Sequence, residues 1–548
     1  MKYIFLLISL FTFNFLQAQV TGVVKDAAGE PIPGANVFWM NTTNGVTTNE
    51  DGNFSIHKPA RSHMLVVSFI GFENDTIHVD KGNQQLDIVL REGVELSEVN
   101  VVTRKLGTMK LRTSVMNEDM ISSAELTRAA CCNLGESFVT NPSVDVSYSD
   151  AATGAKQIKL LGLSGTYVQM MTENIPNFRG AAAPYGLGYV PGPWMQSIQV
   201  SKGSSSVKNG YESITGQINV EFKKPQLPEA DWVSANLFAS STNRYEANAD
   251  ATVKLSKRWS TSLLAHYENE TKSHDSNDDG FVDIPRVEQY NVWNRWAYMG
   301  DHYVFQAGIK ALHETRNSGQ IAHGNTPSHD LYEIGIKTNR YEAFTKNAYI
   351  FDKEKNTNLA LILQGTLHNQ DANYGRKLYD VDQSNFYASL LFETELSKQH
   401  SLSAGLSFNY DGYDQNYRLT NQAEEGLTKK FVKESVPGAY VQYTFNLNDQ
   451  LMLMGGIRGD YSSEYGFFVT PRAHVKYNPN EYLHFRLSAG KGYRTNHVLA
   501  ENNYLLASSR KMKIASHLDQ EEAWNYGASV STYIPLFGKT LNVNAEYY

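Results

Sequence analysis

The run Asp275-Ser276-Asn277-Asp278-Asp279-Gly280-Phe281-Val282-Asp283 offers oxygen ligands at alternate positions, a glycine for the turn and a later carboxylate. A hard cation such as Ca²⁺ takes such a set, so Asp275, Asn277, Asp279 and Asp283 are candidate ligands. The distal bidentate glutamate of a full EF-hand loop is missing, and a solvated acidic loop is the other reading. Cys131 and Cys132 are the only cysteines and are adjacent. A disulfide between neighbours strains the intervening peptide. Two soft ligands suit Cu(I) or zinc, with Met170, Met171 and Met195 as helpers if the fold brings them near. The competing reading, small buried packing residues, is the commoner one. His313, His323 and His329 are scattered along a long polar loop, where histidines are usually solvated. His57 and His63 lack the His-Glu-x-x-His spacing of a zinc peptidase. No nucleophile elbow, Walker loop or dinucleotide fingerprint occurs, so the chain does not read as an enzyme and requires no cofactor. Formal charge is −8 without a basic stripe, which argues against a nucleic-acid partner.

The elements that must position these residues begin with an export signal. Lys2, an apolar run from Ile4 to Leu16 and the small-residue site Leu16-Gln17-Ala18 form a signal peptide over residues 1–18. No later run is apolar enough for a membrane helix. A transmembrane β-barrel escapes that test because only alternate residues face lipid. The chain carries 32 Tyr, 25 Phe and 7 Trp, enough for the aromatic girdles of such a barrel. Lacking a disulfide framework, an exported chain of this length must find stability elsewhere, here in a closed hydrogen-bonded sheet.

Residues 19–92 hold short alternating runs separated by turns such as Gly29-Glu30-Pro31-Ile32-Pro33-Gly34, the pattern of a small β-sandwich. The residues VTGVVKDAAGEPIPGANVFWMNTTNGVTTNEDGNFSI resemble the carboxypeptidase-regulatory-like domain, a non-catalytic module. A polar connector, 93–110, carries Glu98-Val99-Asn100-Val101-Val102-Thr103. It resembles a TonB box, and its extended, β-branched character suits strand addition to the periplasmic energy-transducing TonB complex; a last strand of the sandwich is the alternative. In 111–225, Ser122-Ser123-Ala124-Glu125 predicts a capped helix, with a second around Leu134 to Val139 before Asn141-Pro142. The segment IQVSKGSSSVKNGYESITGQINVEFKKP resembles the end of the plug domain of TonB-dependent receptors. Gly203, Gly210 and Gly216 fall where tight turns or close backbone approach are needed. The family's usual Ile-Arg-Gly is replaced by Ile158-Lys159-Leu160-Leu161-Gly162, so Lys159 is left to stand in as a point charge.

From 226 to 548 the pattern becomes that of a membrane barrel. In His400 to Tyr410, for example, Leu402, Ala404, Leu406, Phe408 and Tyr410 share one face while Ser403, Gly405, Ser407 and Asn409 share the other. Strands are expected near 231–240, 246–256, 259–270, 288–298, 303–313, 341–351, 358–370, 384–396, 400–410, 435–447, 450–462, 468–478, 481–490, 521–533 and 540–548. Short turns alternate with longer polar loops, as in outer-membrane barrels. The stretch from Gly455 to Arg510 again resembles the TonB-dependent receptors. The fold class expected is therefore mainly β: an N-terminal sandwich, a small α+β plug and an incomplete antiparallel barrel, about 15 of about 22 strands. Tyr548 falls on the inward face, the wrong parity for a terminal aromatic assembly signal, so the sequence reads as a fragment. The resemblance implies an outer-membrane importer of a small molecule or metal chelate (ferric siderophore, haem or cobalamin), with TonB and lipid as partners. Glycan uptake, or a passive adhesin or signalling barrel, are the alternatives.

Overall fold

The computed structural model describes residues 19–548 except 27–28, 33, 40–44, 50, 59–62, 70–74, 80–84, 91–107, 112–113, 130–131, 140, 226–232, 322–330, 422–425, 449, 481, 516 and 537–538. The signal peptide, the proposed TonB box at Glu98 to Val102, Cys131, His323 and His329 lie outside the described residues. The chain divides into two units, Met1–Lys105 and Leu106–Tyr548.

In the first unit, one sheet joins Asn53–His57, Gln19–Lys25 and Gln85–Val89, and a second joins Gly45–Thr47, Asn36–Trp39, Met64–Ser68 and Asp75–His78. Alternate residues of both sheets, among them Val20, Val24, Val37, Trp39, Phe54, Ile56, Leu65 and Ile88, share one core. The Thr48 hydroxyl accepts from the Ala35 N–H at 2.8 Å and donates to the Ile32 carbonyl at 2.7 Å, which satisfies a buried turn. His57 is exposed on a strand, and His63 stacks on His78 with ring centroids 6.0 Å apart.

The second unit opens with the plug. Its main sheet runs Ile175–Pro176, Val168–Thr172, Gly216–Phe222, Met195–Lys202, Glu118–Ser122 and Thr108–Lys110 in spatial order. The helix Ser123–Arg128 is capped by Ser122, whose hydroxyl accepts from the Glu125 N–H at 3.4 Å. The second expected helix is only a short 3-10 turn, Leu134–Glu136. Its apolar residues Leu134 and Phe138 belong to the plug core, and Asn141 turns the chain immediately after, leaving no room for further helical turns. A smaller sheet of Val144–Asp150, Ala155–Leu160 and Leu163–Ser164 caps the plug.

Around it stands a 15-stranded antiparallel sheet with strands in sequence order, from Val233–Ala239 to Lys539–Tyr547. Every strand expected from the sequence is present, but several are longer. Glu333–Asp352, Lys377–Ser397, His400–Arg418 and Thr428–Leu447 all gain residues at the end away from the plug's entry. Beyond the bilayer both faces of a strand meet water, so alternation fades there while the ladder continues. His313 belongs to one such extended strand, Tyr303–Gly319, and bonds Asn339 at 2.7 Å; it is not a loop residue.

The outward face is apolar: Leu237, Leu263, Ile309, Leu367, Leu406 and Leu487 are all exposed. A girdle of Trp259, Tyr298 and Tyr303, with rings 5.1 and 6.1 Å apart, marks the periplasmic side. The last strand keeps the expected parity. Tyr547 points outward, whereas Tyr548 accepts from Asn117 of the plug at 2.6 Å. Among the described residues no ladder joins Lys539–Tyr547 to Val233–Ala239, so the barrel wall is not closed.

Candidate functional site

Strand direction places a cavity of about 310 Å³ on the outer side of the plug, between its apex and the first strands of the wall. Arg244 organises it. The guanidinium lies 3.0 Å from Glu136 of the plug and 2.7 and 2.9 Å from Glu246 and Glu268 of the wall. Only the Glu136 contact has hydrogen-bond geometry; the other two act by charge. Opposite, Arg316 pairs with Glu314 at 3.0 Å and lies 5.2 Å from the Tyr185 ring centroid. Such a set, with Tyr148 and Lys156 at the rim, can bind a small polar solute through several directed contacts.

Cys132 lines this cavity, just before the 3-10 turn rather than at a helix start. Its N–H donates to the Glu136 carboxylate at 3.1 Å. Burial, reinforced by Glu246, pushes the thiol well above its usual range, away from the thiolate that a soft metal needs. Met195 is part of the plug core, Met170 packs against it, and Met171 is fully buried. Among the described residues no three His, Cys, Asp or Glu side chains converge on a metal position. In the acidic loop, Asp275 accepts from the Asp279 and Gly280 N–H groups at 3.1 and 2.9 Å. Asp279 accepts from Phe281 at 2.8 Å and Asp283 from Ser276 at 2.7 Å. The hydrogen bonds from Ser276 hold Asp283 below the usual carboxylate range.

Below the cavity the plug is fixed to the wall by ion pairs that single-sequence reading did not find. Glu173, on a left-handed turn with Asn174, meets Arg295 at 2.6 Å and Lys346 at 3.6 Å. Burial and the neighbouring Glu173 push Glu221 above the usual carboxylate range. Asn177 accepts from Arg340 at 2.6 Å and donates to Glu342 at 2.9 Å. Arg179 joins Asp411 of the wall at 3.0 Å. Lys159 sits opposite Ser164 in the small sheet and makes no ion pair among the described residues, so it does not replace the family's arginine contact.

A long outer loop also reaches the plug. Asn503 accepts from Tyr185 of the plug at 3.1 Å and from Tyr374 of the wall at 3.2 Å. His497 lies against Tyr413 at 4.4 Å between ring centroids, and its Nε2 is buried without a partner among the described residues; burial pushes its pKa down to about 4. The plug glycines have positive φ: 77° at Gly203, 106° at Gly210 and 154° at Gly216. At Gly216 a Cβ would fall 2.3 Å from the Ser201 carbonyl oxygen, and at Gly203 2.9 Å from the Tyr548 ring.

A barrel wall, a plug filling it and a cavity facing outward define an outer-membrane receptor. The sequence profile "TonB dependent receptor-like, beta-barrel" matches residues 204–548, "TonB-dependent Receptor Plug Domain" 110–217 and "CarboxypepD_reg-like domain" 20–102. The chain belongs to the TonB-dependent receptor family, whose members are transport receptors rather than enzymes. "TonB-dependent receptor SusC" of Bacteroides thetaiotaomicron is 28% identical over 245 residues, 42% of this chain and 24% of that relative. The match thus spans about a quarter of that relative's length. The alcaligin outer-membrane receptor FauA of Bordetella pertussis shares the fold with a TM-score of 0.61 at 14% identity, covering 82% of this chain and 75% of that one. FpvA of P. aeruginosa, solved with pyoverdines, gives 0.62 at 14% identity over 84% and 67%.

Proposed function

We propose that the protein imports a scarce solute, a ferric siderophore, haem, cobalamin or another metal chelate, across the outer membrane. The solute binds in the Arg244–Arg316 cavity, and the periplasmic TonB complex pulls the connector to open the plug. One observation carries this reading: the connector enters the plug through a short edge strand. Thr108–Lys110 is an edge strand, paired among the described residues only with Glu118–Ser122, and its first residue lies opposite Ile121. A pull from residue 107 therefore opens the rungs one at a time instead of shearing them together. Fold likeness to FauA and FpvA supports the chelate class. Glycan uptake of the starch-utilisation kind is a second reading, favoured by the N-terminal module and by the sequence match to SusC.

Val101→Pro removes a backbone donor from the segment offered to TonB. Energised uptake should be abolished while surface binding of the same solute is retained. Normal uptake in that variant would refute the reading.

A further inference from the structure

Behind the plug, on the inner half of the barrel wall, two guanidiniums are buried with no carboxylate in ion-pair contact among the described residues. Arg472, on the strand Gly466–Asn480, is 4% exposed. It donates to the Ser205 and Ser206 carbonyls of the plug at 3.4 and 3.0 Å, to the Ser205 hydroxyl at 3.1 Å and to the Lys491 carbonyl at 3.3 Å. Arg486, on the neighbouring strand Leu483–Arg494, is also 4% exposed and donates to the Leu111 and Ser114 carbonyls at 3.1 and 3.4 Å. Arg472 Nη2 and Arg486 Nη1 are buried with no hydrogen-bond partner among the described residues. Directly across from Arg486 in the ladder stands a third buried cation, Lys476. Like charges in a directly paired position oppose sheet formation, and buried guanidiniums hydrogen-bonded only to neutral oxygens are costly.

Stability does not explain this strip, because apolar residues there would pack against the plug at less cost. The wall's nearby Arg458 is neutralised by Asp460 at 2.5 Å, so the fold pairs a buried arginine where it needs to. The carboxylates that face Arg486, Glu118 and Asp119, sit on the plug and leave with it. Among the described residues the wall carboxylates nearby are Asp460, already paired with Arg458, and Glu546, now bound to Lys110 and Lys202 at 2.7 and 2.9 Å; once freed, Glu546 offsets only one of the two arginines. The groups covering the strip are the first to move. Leu111 and Ser114 follow immediately after the edge strand Thr108–Lys110, so opening that strand uncovers Arg486 first.

We propose that Arg472 and Arg486 form an exit lane for an anionic substrate, one bearing carboxylate or similar oxyanion groups. The planar forks of the two arginines match such groups in a way the plug carbonyls do not. The lane rests on the import reading above and specifies the charge of what is imported.

The test is ion selectivity of the full-length protein in planar lipid bilayers, with the plug loosened reversibly by urea and the reversal potential read in a KCl gradient. The wild type should prefer chloride. R472Q/R486Q should lower the chloride-to-potassium permeability ratio by on the order of threefold, and R472K/R486K should keep it. Heat-modifiable gel mobility confirms that each variant is folded. A potassium-selective wild type overturns the lane without any variant, and so does an unchanged ratio in the glutamine pair. Absence of any conductance from the loosened wild type refutes the import reading itself.

Discussion

Replacing Trp194 with alanine should release the plug from its apolar seat on the wall. Trp194 is fully buried, with its ring 6.2 Å from Trp293 and 6.5 Å from His266, both on barrel strands. Trp293 in turn meets Phe222 of the plug edge to face at 4.6 Å. Truncating a buried tryptophan costs ~3–5 kcal/mol in lost burial and a residual cavity. Part is returned, because the indole Nε1 is buried with no partner among the described residues. Removing such an unsatisfied donor recovers ~1 kcal/mol. The net loss of ~2–4 kcal/mol should multiply the opening equilibrium of the plug by roughly 30- to 700-fold, at 1.4 kcal/mol per decade. Hydrogen exchange of the strands Met195–Lys202 and Gly216–Phe222 in the detergent-solubilised protein reads this directly. Trp194→Phe keeps most of the apolar area and drops the orphan donor, so it should change protection by less than tenfold. Unchanged protection in the alanine variant would refute the apolar seat. Equal damage from phenylalanine would show that the indole N–H, and not the ring, is what matters.

Acidification should undock the outer loop. His497 has a folded pKa of about 4 against an ordinary value near 6.5, so its neutral form is the one the fold favours. That stabilisation is full above about pH 6.5 and is lost as pH falls toward about 4. Hydrogen exchange of Val498–Glu501 should quicken across this window, and His497→Phe should flatten the response. Calcium binding by Asp275, Asn277, Asp279 and Asp283 requires these oxygens to exchange loop N–H partners for the ion. Calorimetry should therefore show weak binding, with a Kd of about 10⁻⁴–10⁻³ M, that vanishes in Asp279→Ala; matching titrations would leave the loop as solvated charge. Cys131→Ser/Cys132→Ser should leave bound copper and copper-limited growth unchanged. Loss of both would assign the pair to a metal site.

The wall was legible in the sequence because lipid imposes period-two alternation on every strand where it crosses the bilayer. Leu402 to Tyr410 shows this, and the alternation stops where Asp411 to Arg418 leave the apolar layer. The plug glycines could be found because backbone geometry is a property of a residue and its immediate neighbours. The cavity could not. Arg244 and Glu136 are 108 residues apart, and Arg472 and Ser205 are 267 apart. A lone arginine in an alternating strand carries no mark of which plug atom it will meet. Nor did the sequence distinguish Arg458, paired with Asp460 two residues on, from Arg472, whose hydrogen bonds go to neutral oxygens.

The three-residue strand Thr108–Lys110 has a mechanical consequence. Elements connected in series bear the same tension, so the weakest yields first whatever the strength of the rest. On the import reading, with the pull applied just before it, this strand would act as a fuse: it would give way at low load and lengthen the chain. The lengthening relaxes the tension before the Trp194 seat or the Glu173–Arg295 anchor is strained to breaking. The order of opening then follows from the strength of each element under load and needs no separate signal. While only this strand has opened, the plug returns by re-forming one short hairpin.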